Sequence, residues 1–352
     1  MSFRLTCLLK TSWKNPLRSG AGPCFVIVML LSFSTGARAQ QAHAQLSASS
    51  CIEGATVVPL LGGNGDSPII PVKAGSSPAA MFVSPAFSHI LVHDHDRIWF
   101  PQGPAQQVVA QDGNRVIAEH TEIDSLTIGA VSLPMVPALL LDGEAKHSAD
   151  GLPVLGIIGR DILAHVEVLL DVPHRTLALF RWSRRKGCGE TPAPIFTGDV
   201  YTVPMDSDAG IQVRIGPASA RLRLDPDLAV SVLPRPDAHA AGVSDEILSH
   251  DPRVTARYVS IQAGARHRFP TVTIGAESLS GFDFVIEDSI RNGALGENFF
   301  EGVVALLDFP HGRFIFQPTD DRNDAPVLHL HFDQSRQGYT AVREQQGKPD
   351  HQ

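Results

Sequence analysis

Short apolar runs alternate with glycine, proline and aspartate along most of the chain, and this pattern predicts β-strands. The runs are rich in β-branched residues and are interrupted about every 8–12 residues, as expected for an all-β protein. Residues 166–171 and 176–180 predict two strands joined by a tight turn at 173–175, where the proline presets the backbone angle. Helical patterns are short, and they predict helices only at 161–165 and about 238–249.

The chain contains an internal repeat. Residues 159–180 align without a gap with residues 296–317, and both copies carry Leu-Leu-Asp-x-Pro-His. Two earlier pairs follow in the same order, 124–129 with 270–275 and 72–75 with 213–216. Ordered matches at a spacing of about 140 residues indicate two copies of one module. We place the copies at 66–181 and 207–318.

The segments outside the two modules have different characters. Residues 1–39 combine a basic leader, an apolar stretch and Ala-Arg-Ala, which predicts a secretory signal peptide and a secreted or periplasmic protein; an uncleaved interfacial anchor is the alternative. Residues 40–65 predict an N-terminal strand and lead-in, and residues 182–206 predict the connection between modules. The tail, 319–352, contains one alternating stretch at 327–332 and is otherwise polar.

Composition narrows the classes of function. The 352 residues are 43% hydrophobic and 19% charged, which excludes a disordered chain, and the net charge of −8 argues against nucleic-acid binding. The longest apolar run, 25–31, is far shorter than the roughly 20 residues of a membrane helix, so no span is expected in the mature chain. We expect a monomer.

Cysteine and histidine residues are the candidates for disulfide and metal chemistry. Removal of the leader leaves Cys51 and Cys188, which form either one disulfide or two buried thiols. The alternating run at 93–96, His-Asp-His-Asp, has no identifiable further ligand and favours a polar loop. The sequence therefore predicts no cofactor and no metal site.

Residues 156–163, Gly-Ile-Ile-Gly-Arg-Asp-Ile-Leu, resemble a signature of retropepsin-like aspartic peptidases, and residues 293–300 resemble it more weakly. The resemblance implies an all-β, bilobal aspartic-peptidase fold built from two tandem retropepsin-like β-barrel lobes. It also implies structural roles, where an apolar residue and a glycine pass beneath the active site, for Ile158, Gly159, Leu295 and Gly296.

The same resemblance implies where the catalytic Asp-Thr/Ser-Gly triplets belong. Nine residues after the hairpin glycines Gly75 and Gly216, the chain has Ser84-Pro85-Ala86 in the first module and Asp225-Pro226-Asp227 in the second. Aspartic peptidases use two neighbouring carboxyls that share one proton, and a serine cannot hold that charge. Ser84 therefore marks the position of a missing acid, and Asp225 is the remaining catalytic candidate.

These positions predict a pseudoenzyme that binds an extended peptide or protein segment in the cleft between the lobes, through loops that include Pro85, Ala86, Pro226 and Asp227. The alternative is an active aspartic endopeptidase with an atypical Asp225-centred site, for example with Asp227 as its partner. Two further hypotheses are a structural role in a multiprotein assembly and a pairing of Asp225 between two chains. The resemblance further implies flaps around 101–114 and 254–267.

Overall fold

The computed structural model describes residues 50–61, 68–109, 115–257 and 261–319. The predicted signal peptide and the alternating stretch at 327–332 lie outside these residues. In the first module and its lead-in the strands are β1 (Ile52–Pro59), β2 (Ile69–Ala74), β3 (Ser77–Val83), β4 (Leu91–Asp94), β5 (Ala105–Val109), β6 (Arg115–Ile128), β7 (Val131–Glu144), β8 (Ser148–Ala149), β9 (Leu152–Ile158), β10 (Glu167–Asp171) and β11 (Thr176–Trp182).

The second module and the segment before it repeat this order of strands, except that β8 has no counterpart among the described residues. They are β12 (Tyr201–Pro204), β13 (Gly210–Ile215), β14 (Ala218–Leu224), β15 (Val232–Pro234), β16 (Arg253–Arg257), β17 (Ile261–Ile274), β18 (Glu277–Glu287), β19 (Gly293–Leu295), β20 (Val303–Asp308) and β21 (Arg313–Pro318). The segment predicted to connect the modules thus contains β12 as well as a 3-10 turn at Ala193–Ile195.

Each module closes six strands into a barrel. The first barrel runs in the order β2-β3-β9-β4-β7-β6, and β6 pairs back to β2 through Val72 and Ile128. The second runs in the equivalent order β13-β14-β19-β15-β18-β17 and closes through Ile215 and Val272. The predicted all-β fold with two tandem barrels is confirmed.

A third sheet joins the two modules, with the strand order β1-β11-β10-β20-β21-β12. Its middle pair, β10 and β20, comes from the two copies of Leu-Leu-Asp-x-Pro-His and pairs antiparallel, with Leu169 opposite Leu306. Because alternate residues of a strand face opposite sides, Leu170 and Leu307 enter the main hydrophobic core, while Leu169 and Leu306 enter a second cluster with Phe180.

The second cluster is covered by the segment after β11. Cys51, which precedes β1, forms a disulfide with Cys188, and both residues border this cluster. Ser183 donates its backbone N–H to the Cys51 carbonyl, so the chain is also held there by a backbone hydrogen bond.

Within the described residues, the strands are accompanied by four short α-helices: α1 (Arg160–Leu163), α2 (Arg235–Ala240), α3 (Asp245–His250) and α4 (Glu297–Phe300). The single helix predicted at about 238–249 is wrong, because Gly242 takes a positive φ of 92° and ends α2. Ser244 then caps α3 by accepting the backbone N–H of Ile247. None of the helices within the described residues has the length and apolarity needed to cross a membrane.

Candidate functional site

Two equivalent loops, one from each barrel, meet at the candidate site. The first loop begins at Ser84, directly after β3, and the second begins at Asp225, directly after β14. The backbone N–H of Ser84 donates to Ile158 (3.2 Å) and that of Asp225 donates to Leu295 (2.9 Å). Each loop is therefore held by the apolar residue that ends the neighbouring parallel strand, β9 or β19.

The glycines after these strands allow the close approach. A Cβ atom on Gly159 would lie 2.5 Å from the His89 carbonyl oxygen, and one on Gly296 would lie 2.4 Å from that of Leu228. Both distances are shorter than real Cβ contacts, so the backbone of each loop occupies the space that a side chain would need.

Ser84 and Asp225 are in direct contact. The Ser84 Oγ donates a hydrogen bond of 2.9 Å to Asp225 Oδ1, and the two residues are 0% and 1% exposed. A hydroxyl thus faces Asp225 from the first barrel, and this hydroxyl is a donor that carries no charge.

Asp227 brings a second carboxyl to the same place. Its side chain lies close enough to those of Asp225 and Ser84 to interact with both. Burial, followed by the negative charge of Asp225, raises the pKa of Asp227 well above its ordinary value. The protonated form of Asp227 is therefore favoured beside Asp225.

The prolines of the two loops line an apolar pocket beneath the site. Pro85 and Pro226 share this pocket with side chains of the joining sheet, among them Leu170 and Leu307. Ala86 is also buried, at 4% exposed. These residues pack the loops onto the sheet.

The first residues of α1 and α4 support the loops, and sequence reasoning missed this role. In the first barrel, Arg160 Nη1 donates to the Pro85 carbonyl at 2.6 Å, and Asp161 Oδ2 accepts the Ile90 N–H at 2.7 Å. In the second, Asn298 Oδ1 accepts the N–H of Ser231 at 2.8 Å and its hydroxyl at 2.7 Å. The internal repeat could have indicated this role, because Asp161 and Asn298 occupy equivalent positions, two residues after Gly159 and Gly296.

The remaining predicted residues lie away from this site. The Cys51–Cys188 disulfide borders the cluster on the joining sheet. His93 contacts the Gly143 carbonyl, and Asp94 accepts the backbone N–H of Phe100. The run at 93–96 thus has local backbone partners.

Comparison with known proteins agrees with the architecture. No protein-family model matches the chain, and no curated protein is significantly similar to it in sequence. Among solved structures, the chain is similar to an aspartic proteinase from Irpex lacteus, with a TM-score of 0.50 and 13% identity, over 77% of this chain and 99% of that chain. At this identity the likeness concerns the fold alone: the chain has the bilobal fold of aspartic proteinases.

Proposed function

We propose that the protein binds an extended peptide or protein segment between its two barrels without cleaving it. The observation that carries this proposal is the Ser84–Asp225 hydrogen bond, in which a serine hydroxyl occupies the position opposite the second-barrel acid. The aspartic-proteinase mechanism requires one carboxylate from each barrel, one as general base and one as general acid. Loss of a general acid or base typically costs about two to four orders of magnitude in rate.

Two hairpins support peptide binding. The first flap, formed by β5 and β6, and the second flap, formed by β16 and β17, each end their sheet with an edge strand. An edge strand offers backbone donors and acceptors to an added extended chain. On the first flap, Val116 and Ile117 are 38% and 69% exposed, and these side chains offer apolar contact to a ligand.

A second candidate function, peptide-bond hydrolysis at an atypical site, is favoured by one observation. Asp227 lies in hydrogen-bonding contact with Asp225, and its raised pKa is that of a carboxyl able to carry a proton beside a charged neighbour. Such a pair offers an acid and a base from one loop. We rank it second because both carboxyls come from the second barrel, and the first-barrel side chain that faces them in the described part of the chain is Ser84.

The experiment compares binding with turnover in one preparation. The chain without its leader is incubated with denatured casein and with an extended peptide library from acidic to neutral pH, with and without a statine-type inhibitor. We expect peptide or inhibitor binding and no cleavage. Asp225→Asn is the test variant, and exposed Asp124→Asn is the matched control for the same chemical change.

The non-catalytic proposal would be overturned by cleavage that meets three conditions. The inhibitor blocks it, Asp225→Asn abolishes it, and Asp124→Asn leaves it intact. Asp227→Asn then tests the second candidate, because activity from the acid pair needs both residues. Absence of both binding and cleavage would overturn the two functions together.

We also propose that the protein is exported to the periplasm or the cell exterior as a monomer. The basic and apolar pattern of residues 1–39 supports export, and a disulfide between Cys51 and Cys188 suits an oxidising compartment. Cell fractionation combined with mass spectrometry of the mature N-terminus tests the export, and light scattering tests the monomer. A full-length chain in the cytoplasm would contradict the first expectation, and a stable dimer would contradict the second.

A further inference from the structure

Three residues that could ligate a metal meet where the two modules join. Glu167 is the first residue of β10, and the strand register places it directly opposite Asp308, the last residue of β20. His311 follows in the 3-10 turn Phe309–His311. Each residue offers one ligand atom, and the three atoms lie within 4.8 Å of one another.

The two carboxyls of this cluster are buried. Glu167 is 2% exposed and Asp308 is 0% exposed, so water does not screen their mutual repulsion. A positive charge between the two carboxylates would compensate for their burial.

The hydrogen bonds of the cluster leave one acceptor unused. Glu167 Oε2 accepts the Trp182 backbone N–H at 2.9 Å, and Asp308 Oδ1 contacts His311 Nδ1 at 2.7 Å. Asp308 Oδ2 is buried and has no hydrogen-bond partner within the described part of the chain. Buried polar atoms normally have a partner, so an unpaired carboxylate oxygen beside two further ligand groups points to a bound cation.

We propose that Glu167, Asp308 and His311 bind a zinc ion that links the two modules. Two carboxylate oxygens and one imidazole nitrogen are ligands that Zn²⁺ accepts, and three protein ligands leave a fourth position for water. The His311 side chain is 21% exposed, which gives the ion a route from solvent. Glu167 belongs to the first module, whereas Asp308 and His311 belong to the second, so the ion would add a direct bond between them.

The opposite end of the same strand pair provides an internal control. Asp171 contacts His174 at 2.7 Å, in the equivalent turn of the first module. The residue opposite Asp171, however, is Val304, whereas the residue opposite Asp308 is Glu167. The aspartate–histidine contact is therefore common to both turns, and Glu167 alone completes a set of three ligands at one of them.

This site goes beyond the expectation from the sequence, which included no metal. Glu167 lies in the first module and its two partners lie in the second, so no local spacing of ligand residues in the sequence indicates this metal site. Only the pairing of β10 with β20 brings them together.

The experiment uses the leaderless chain without a polyhistidine tag. The chain is treated with a chelator and then titrated with Zn²⁺ in a calorimeter, and thermal unfolding is followed with and without the ion. We expect one zinc per chain and a higher unfolding temperature with zinc, since a ligand that binds only the folded state stabilises it. Cobalt substitution should give the visible absorption of a tetrahedral site.

Three variants locate the site. Glu167→Val installs the residue found at the equivalent position, and His311→Asn removes the partly exposed ligand; we expect each to weaken zinc binding by about 100-fold or more. His174→Asn, the matched change in the turn that lacks a third ligand, should leave affinity unchanged. Circular dichroism of each variant verifies that it is folded, and His311→Asn decides the matter if the buried Glu167→Val does not fold.

Absence of zinc uptake by the unchanged chain would overturn the proposal, since the carboxylates would then be compensated by a proton. The proposal would also be overturned if His174→Asn weakened zinc binding as much as His311→Asn does. The same holds if neither Glu167→Val nor His311→Asn weakened zinc binding. In both cases the ion would be bound elsewhere, since the chain has 15 histidines.

Discussion

The first and second barrels keep one framework and differ in the side chains placed on it. In both barrels, the loop that follows β3 or β14 is held by an apolar residue of the neighbouring parallel strand. The glycine after that residue allows another backbone segment to approach closely. The loops themselves carry Ser84 in the first barrel and Asp225 in the second, in contact at 2.9 Å. Packing and backbone geometry are thus alike in the two barrels, whereas the two carboxyls of the site, Asp225 and Asp227, come from the second barrel.

The largest expected effect concerns the core beneath each loop. Phe300 in α4 is 0% exposed, and its counterpart Leu163 in α1 is 1% exposed. Phe300 also makes edge contacts with Phe299 and Phe314. We expect Phe300→Ala to lower the free energy of unfolding by about 4 kcal/mol and Leu163→Ala by about 3 kcal/mol. Urea unfolding measures both losses, and a larger loss for Leu163→Ala than for Phe300→Ala would contradict this expected order.

The next effect is the pH dependence that Glu287 of the second barrel contributes. Glu287 ends β18 opposite Pro234, and the strand registers make Leu141 its counterpart in the first barrel. Glu287 is 3% exposed, and neither carboxyl oxygen has a hydrogen-bond partner among the described residues. Burial raises the pKa of Glu287 from 4.5 to about 7.

The sign of this dependence follows from the raised pKa. The folded protein binds the proton more tightly than the unfolded chain, so the stabilisation is complete below pH 4.5 and is lost as the pH rises to 7. The loss amounts to about 3 kcal/mol. Glu287→Gln should remove the part of this slope that Glu287 contributes, so that the slope becomes shallower than in the unchanged chain, while exposed Glu246→Gln should retain the full slope. Urea unfolding across this pH range measures the difference, and an unchanged slope in Glu287→Gln would contradict the expectation.

The smallest effect concerns the contact between the two loops. Ser84→Ala removes the hydroxyl donor to the buried Asp225 carboxylate, and we expect the free energy of unfolding to fall by about 2 kcal/mol at neutral pH. Ser88→Ala, an exposed serine of the same segment, is the control. Equal stability of the Ser84→Ala variant and the unchanged chain would mean that the contact between the barrels contributes nothing.

Local patterns along the chain were sufficient for much of the fold. The repeat and the spacing of turns led to two modules, to the all-β class and to the hairpin formed by β10 and β11. These features depend on backbone conformation and on alternation between neighbours, which the order of residues specifies directly. The helix boundaries around Gly242 were wrong because one glycine and one capping serine outweigh a run of helix-forming residues.

Contacts between distant segments needed the folded chain. The contact of Ser84 with Asp225 and Asp227 arises where the two modules meet. The support of the loops by Arg160 and Asn298, and the burial of Glu287 without a hydrogen-bond partner among the described residues, arise from the closure of each barrel. Local periodicity carries no information about which buried carboxyls become neighbours. The order of residues therefore specified the strands and the repeat, whereas closure of the barrels and of their joining sheet set the distances and burial on which the chemistry depends.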